Sequence, residues 1–165
     1  MYENIKEPDR RIARDAISVW RLANLLGHLL VLIVIAVLLV LDYKLDWYNW
    51  VSYVLWICLG VDWISAIWSV GIEPVLIQKY WRYGIDEEFV KLRHGRWIAH
   101  HQLIPMTKVQ YVGLKQGPLF RRFDLYTLSI GTMGSKHDIP AIPKEEALAL
   151  RDEIATLAKV KEVED

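Results

Sequence analysis

Trp50-Val51-Ser52-Tyr53-Val54-Leu55-Trp56-Ile57-Cys58-Leu59-Gly60-Val61-Asp62-Trp63-Ile64-Ser65-Ala66-Ile67-Trp68-Ser69-Val70 is an unbroken, largely apolar run with one formal charge inside it, Asp62. Its length meets the roughly 20 residues that a helix needs to cross about 30 Å of hydrocarbon. A second such run, Leu22–Leu41, precedes it and is almost pure Leu, Ile and Val from Leu29 onward. The connection Asp42-Tyr43-Lys44-Leu45-Asp46-Trp47-Tyr48-Asn49 is short, so the two spans are expected to be antiparallel neighbours. A cleaved signal sequence fits the first run poorly. A long charged segment precedes it, and Asp42-Tyr43-Lys44 follows where a small-residue cleavage site would stand.

The charges support a membrane reading. Net charge is zero over 165 residues, yet few charges fall between Leu22 and Val70. Lys6, Arg10, Arg11, Arg14 and Arg21 precede the first span, and Lys79 and Arg82 follow the second, whereas the loop carries only Lys44 between two aspartates. The positive-inside rule then puts both termini in the cytoplasm and the loop outside. Trp47, Tyr48 and Trp50 suit one interfacial aromatic belt, and Tyr80 and Trp81 the other. The single cysteine, Cys58, excludes a disulfide framework and a thiolate metal cluster.

On this pattern residues 1–21 form a cytoplasmic lead-in, 22–70 a transmembrane hairpin (spans 22–41 and 50–70), 71–82 a linker, 83–160 a folded domain and 161–165 a tail. A helical pattern starts at Asp9, with Ile12, Ala16, Val19, Trp20 and Ala23 on one face and Arg10, Arg14 and Arg21 on another. Either an amphipathic helix lies along the membrane surface there, or the first span extends into water. Glu73-Pro74 is expected to end or kink the second span.

From Gly84 the period changes to that of strands. Val90 and Leu92 alternate with Lys91 and Arg93, and His94-Gly95 reads as a tight turn. Further strands are expected at 96–104, 109–116, 125–131 and 137–142, the fourth with Tyr126, Leu128 and Ile130 on one face. Pro143, Glu145 and Glu146 open a final helix, whose stripe Ala147, Leu150, Ile154, Leu157 and Ala158 is expected to cover the sheet. The fold class is therefore an α+β membrane protein: a two-helix hairpin followed by an antiparallel sheet capped by a C-terminal helix.

Leu103-Ile104-Pro105-Met106-Thr107-Lys108-Val109-Gln110-Tyr111-Val112, then Gln116-Gly117-Pro118-Leu119-Phe120-Arg121-Arg122-Phe123-Asp124-Leu125, then Thr127-Leu128-Ser129-Ile130-Gly131 and His137-Asp138-Ile139-Pro140, resemble the bacterial pleckstrin-homology domain of the YdbS-like type (bPH2, formerly a domain of unknown function). The pattern spreads over about eighty residues, and the preceding hairpin also suits this family. Gly131-Thr132 departs from it, since the family pattern has Thr followed by a small residue. The resemblance implies a PH-like partial barrel, no enzyme activity, and work beside a larger membrane protein carrying several copies of the domain.

Cys58, Asp62, Ser65, Ser69 and Glu73 share one face at helical spacing. Folding the hairpin about its loop brings His28 level with residue 63, next to Asp62. An unpaired charge at mid-bilayer costs about 2.5–3.5 kcal/mol on insertion scales, so Asp62 needs a partner. A pair with His28, a polar group on a second protein, and plain helix–helix hydrogen bonding within the hairpin are the alternatives; ion conduction would require an oligomer, and a homo-oligomer stands beside membrane lipids and another membrane protein among the partners considered. In the domain, Lys91, Arg93 and Arg96 make a basic turn that is either a contact for anionic headgroups or a solvated hairpin. Arg121 and Arg122 either fix their loop or meet a partner. Adjacent His100 and His101 point to opposite strand faces and do not chelate together. No metal, cofactor or catalytic set is expected, and the scattered basic residues at neutral pI argue against nucleic acid. The function expected is a membrane-anchored binding or scaffold subunit assembling with another membrane protein at the inner leaflet. A sensor of anionic lipid and a non-catalytic subunit of a membrane enzyme or transporter are the alternatives.

Overall fold

The computed structural model describes residues 8–95 and 98–164, with side chains through residue 159. These divide into two compact units. Residues 17–75 form one, and residues 8–16 together with 76–164 form the other.

The first unit is the hairpin. Helix α1 runs from Asp15 to Leu45 and is 31 residues long. Asp15 in its first turn and Lys44 in its last complement the helix dipole. Asp46 takes a left-handed φ of 47° and turns the chain. Helix α2, Asn49–Ala66, then begins and continues through a π-helical turn, Ile67–Ile72, into α3, Glu73–Tyr80. Across the loop, Ser52 Oγ donates to Asp42 Oδ2 at 2.5 Å, which ties the two helix ends. Both helical rods, Asp15–Leu45 and Asn49–Tyr80, are long and apolar enough to span a bilayer.

Two expectations are corrected here. Residues 15–21 extend the first span, but Arg10–Arg11 is a strand and not part of a helix. The second span does not stop at Glu73-Pro74. It widens into a π turn one step earlier, which gives the proline ring room in an otherwise continuous rod.

The second unit is a sheet domain. Strands β1 (Arg10–Arg11), β2 (Arg82–Ile85), β3 (Phe89–His94) and β4 (His100–Pro105) form one antiparallel sheet in that order. Strands β5 (Tyr111–Lys115), β6 (Leu125–Gly131) and β7 (Lys136–Pro143) form the other. A short helix α4, Pro118–Arg122, links β5 to β6, and α5, Lys144–Glu164, closes the chain. Strand β2 answers to no expected strand, and β4 starts at His100, with residues 96–97 of its expected span outside the described residues. Strand β1 pairs with β2 in the register Arg10↔Tyr83 and Arg11↔Arg82. The whole membrane hairpin is thus inserted between the first two strands of the domain.

The core takes Ile12 from the N-terminal segment, Tyr83, Val90, Leu92, Ile104 and Met106 from the first sheet and its edge, and Leu125, Leu128, Ile130, Ile139 and Ile142 from the second. Ala147, Leu150 and Ile154 of α5 cover it. Of the expected β6 face, Leu128 and Ile130 are buried and Tyr126 is half-buried, and Leu125 and Ser129 are buried as well. The β6–β7 register slips between Tyr126↔Ile142 and Leu128↔Ile139, where β7 carries one extra residue as a bulge. Within it Ala141 adopts φ 55°, and its carbonyl accepts the Ala13 N–H at 3.0 Å. The buried Tyr83 hydroxyl donates to Glu146 Oε1 at 2.9 Å, tying β2 to α5.

Ile154→Ala is expected to destabilise the domain by about 2–5 kcal/mol through the cavity it leaves. Tyr83→Phe is expected to cost only about 1 kcal/mol, because it removes one hydrogen bond and Glu146 can turn to water. Urea melts of the full chain in mild detergent, followed by tryptophan fluorescence, check both magnitudes and their order.

Candidate functional site

The most polar place in the hairpin is its seam. His28 of α1 sits with Nδ1 2.8 Å from Asp62 Oδ1 and Nε2 2.8 Å from Ser69 Oγ. A carboxylate only accepts, so Nδ1–H donates to Asp62, and a neutral imidazole then accepts the Ser69 hydroxyl at Nε2. The His28 and Asp62 side chains keep 18 % and 10 % of their surface exposed. Asp62 lies about 18 Å along the helix from Trp50, near the middle of the span. Its second oxygen, Oδ2, is buried and has no hydrogen-bond partner among the described residues.

The network continues toward the far end of the span. Asn24 Nδ2 donates to the Ser69 carbonyl at 2.7 Å. The Arg21 guanidinium donates to the carbonyls of Val70 at 3.2 Å and Gly71 at 3.4 Å. Pro74 is the reason the Ser69 and Val70 carbonyls need side-chain donors. In the π turn the Glu73 N–H bonds the Trp68 carbonyl, five residues back. The next rung would take the Ser69 carbonyl to the N–H of residue 74, and an ordinary α rung would take Val70 there; proline supplies neither. In hydrocarbon an unserved carbonyl costs several kcal/mol, and α1 supplies the missing donors.

The expected stripe of Cys58, Asp62, Ser65, Ser69 and Glu73 is divided. Asp62 and Ser69 lie in the seam, whereas Cys58, Ser65 and Glu73 are exposed. At about 100° per residue the stripe is about 80° wide. The seam centres on its Leu55, Leu59 and Ala66 side, which leaves Cys58 and Ser65 on the outer flank. Arg21 and Asn24 belong to the network without having been singled out by sequence. Their signal was the spacing Arg21, Asn24, His28 on one helical face opposite a proline.

Ser69, His28 and Asp62 follow the hydrogen-bond order of a nucleophile, base and orienting acid. The surroundings of Ser69 do not suit that chemistry. Stabilising an oxyanion takes donors free to follow the developing charge, whereas Asn24 and Arg21 are held in place by their bonds to backbone carbonyls. The arrangement is suited to joining helices.

In the domain the basic residues are not alike. Lys91 is only 11 % exposed, and its ammonium pairs with Asp86 at 2.5 Å, so it is not presented to a headgroup. Burial raises the Asp86 pKa, but the hydrogen bonds from Lys91 and from the Phe89 and Glu88 amides outweigh it and leave the carboxyl below its ordinary value. Arg93 is half-buried in β3, and Arg96 lies outside the described residues. Arg121 and Arg122 are exposed in α4. Trp81 and His94 stack at 4.6 Å, and His94 and His100 at 5.3 Å. Among the described residues no group of three His, Cys, Asp or Glu side chains is placed to hold a metal.

A PH-like arrangement of two antiparallel sheets and a C-terminal helix, carrying a membrane hairpin, defines a class of membrane-anchored PH domains. The family model "Bacterial PH domain" matches residues 17–158, and the chain belongs to that family. The chain is also similar to the UPF0699 transmembrane protein YdbS of Bacillus subtilis (strain 168), at 35 % identity over 156 residues, covering 94 % of this chain and 96 % of that protein. No solved structure matches. The protein is a membrane protein of this family.

Two outcomes follow from this geometry. Asn24→Ala is expected to destabilise the hairpin, and less so in a Pro74→Ala background, where residue 74 regains its N–H. The coupling should be about 0.6–1.7 kcal/mol, the range of interhelical hydrogen bonds in lipid, read from a thermal double-mutant cycle in detergent. The second concerns His94, whose pKa is lowered by burial first and by His100 second. The folded state then binds this proton less readily than the unfolded chain. The associated stability is complete above the unfolded value of about 6.5 and is lost as pH falls from there through the folded value. His94→Phe keeps an aromatic stack and should flatten that part of the stability–pH curve.

Proposed function

We propose that this protein is a membrane-anchored binding subunit, with both termini in the cytoplasm, that assembles with another membrane protein at the inner leaflet. The observation that carries this reading is the flank of α2. Cys58 and Ser65, one heptad apart, are small polar residues exposed beside the seam. Lipid tails offer nothing to a thiol or a hydroxyl, whereas a neighbouring helix gains close packing and hydrogen bonds from such positions. The two helices of the hairpin occupy one seam only, so most of their apolar surface remains for lipid or a partner helix. The K/R imbalance across the loop supports the orientation. The lipid-sensor alternative has less to stand on, because Lys91 is taken up by Asp86.

The test is co-purification from native membranes after mild cross-linking, with the recovered proteins quantified. A membrane protein is expected in stoichiometric amount with the wild-type chain, at least tenfold depleted with Cys58→Leu/Ser65→Leu. Recovery of lipid alone, or recovery unchanged by the double substitution, overturns the reading.

A further inference from the structure

Strand β5 is the outer strand of its sheet, so alternate backbone N–H and C=O groups along Tyr111–Lys115 point away from β6. Beside it α5 runs past with Ala155 and Ala158 facing the strand. Between the helix and the chain entering β5, from Thr107 to the first two strand residues Tyr111 and Val112, lies a groove of about 690 Å³, closed by Met133, Ala155 and Ala158 and flanked by Lys108 and Lys159. Among the described residues no acidic side chain lines it. Met133, 90 % exposed, stands at the tip of the β6–β7 turn, and Tyr111, 52 % exposed, lays its ring over Gly131, where a Cβ would come within 1.9 Å of it. These are large apolar groups held out in water at the mouth of a groove.

We infer that this groove takes an extended, acidic segment of a partner protein, added as a further strand against β5. Three features of the groove agree on that occupant. An edge strand supplies main-chain hydrogen bonds in strand register. The alanines of α5 leave space for every second side chain of the incoming strand, between Val109 and Val112 on one wall and the helix on the other. Lys108 and Lys159, both exposed and with no acid beside them among the described lining residues, match carboxylates on the segment and reject a basic one. A lipid acyl chain would fill the apolar floor and leave the β5 backbone groups unserved. The inference deepens the proposed assembly by naming a surface and a chemistry for it.

The experiment uses the full chain in nanodiscs of neutral lipid and a displayed library of random ten-residue peptides, with selected peptides resynthesised and measured by fluorescence polarisation. Enriched peptides are expected to carry Asp or Glu, to lack proline in their centre, and to lose at least tenfold in affinity for Lys108→Glu/Lys159→Glu and for Ala158→Trp, which fills the groove. The charge-reversal pair lies on the surface and keeps the test valid if the tryptophan disturbs folding. No enrichment over bare nanodiscs, or enriched peptides that bind wild type and both variants alike, overturns the inference. If the groove variants leave co-purification of the membrane partner intact while Cys58→Leu/Ser65→Leu abolishes it, the groove assignment fails and the proposed function stands.

Discussion

Pro74 has no N–H, and it sits where the second membrane rod leaves its long apolar run. In water the two carbonyls it fails to serve would turn to solvent. Within a bilayer they need protein donors. The π turn at Ile67–Ile72 accommodates the ring, and Arg21 and Asn24 reach across from α1 to the Val70 and Ser69 carbonyls. That fixes the register of the two helices. With Asn24 on Ser69, His28 one turn further along α1 meets the Ser69 hydroxyl on one ring edge and Asp62 on the other. A backbone defect and a buried acid are therefore met by one polar seam, and neither is satisfied without the other's neighbours.

A second constraint lies in the order of the chain. Strand β1 precedes the membrane segment and β2 follows it, and the two are paired. The domain is completed only when both ends of the hairpin come together. Its stability includes Ile12, buried in the core, and the Ala13 N–H on the Ala141 carbonyl, both from residues ahead of the first span. Closing a long loop between β1 and β2 would ordinarily cost chain entropy that grows slowly with length. A hairpin already zipped by its own seam removes most of that cost. The seam and the sheet therefore support one another through the chain connecting them.

Much of this could be read in the residues, for identifiable reasons. Two apolar runs of bilayer length, a short loop between them and a lysine–arginine imbalance are strong periodic or compositional signals. So are the alternation at Val90–Arg93 and the stripe of α5. Strand β1 was illegible because it is two residues long, and Ile12, Ala16, Val19 and Ala23 impose a helical spacing on the same stretch. Strand β2 was missed because Arg82-Tyr83-Gly84-Ile85 is short and broken by glycine. The bulge in β7 could not be foreseen, because nothing in the alternation of the sequence around Ala141 reveals an extra residue. Asp62 declared its need for a partner by its charge. Which of the five stripe residues faced the seam depended on packing by Leu55, Leu59 and Ala66, and a helical wheel drawn on polarity alone is blind to that.

The seam also separates binding from chemistry. Ser69, His28 and Asp62 would pass a search for nucleophile, base and acid by distance alone. What decides against it is where the donors go. An oxyanion needs groups free to strengthen their hydrogen bonds as charge develops. Here Asn24 and Arg21 are already engaged by carbonyls that Pro74 left bare, and withdrawing either would expose a main-chain defect to lipid. A site whose donors are fixed by structural need has little capacity left for a reaction. The same fixity makes a well-defined surface, since it holds α2 at a set rotation with Cys58 and Ser65 outward. Polar groups inside the hairpin thus determine what the outside of the hairpin presents to its neighbours.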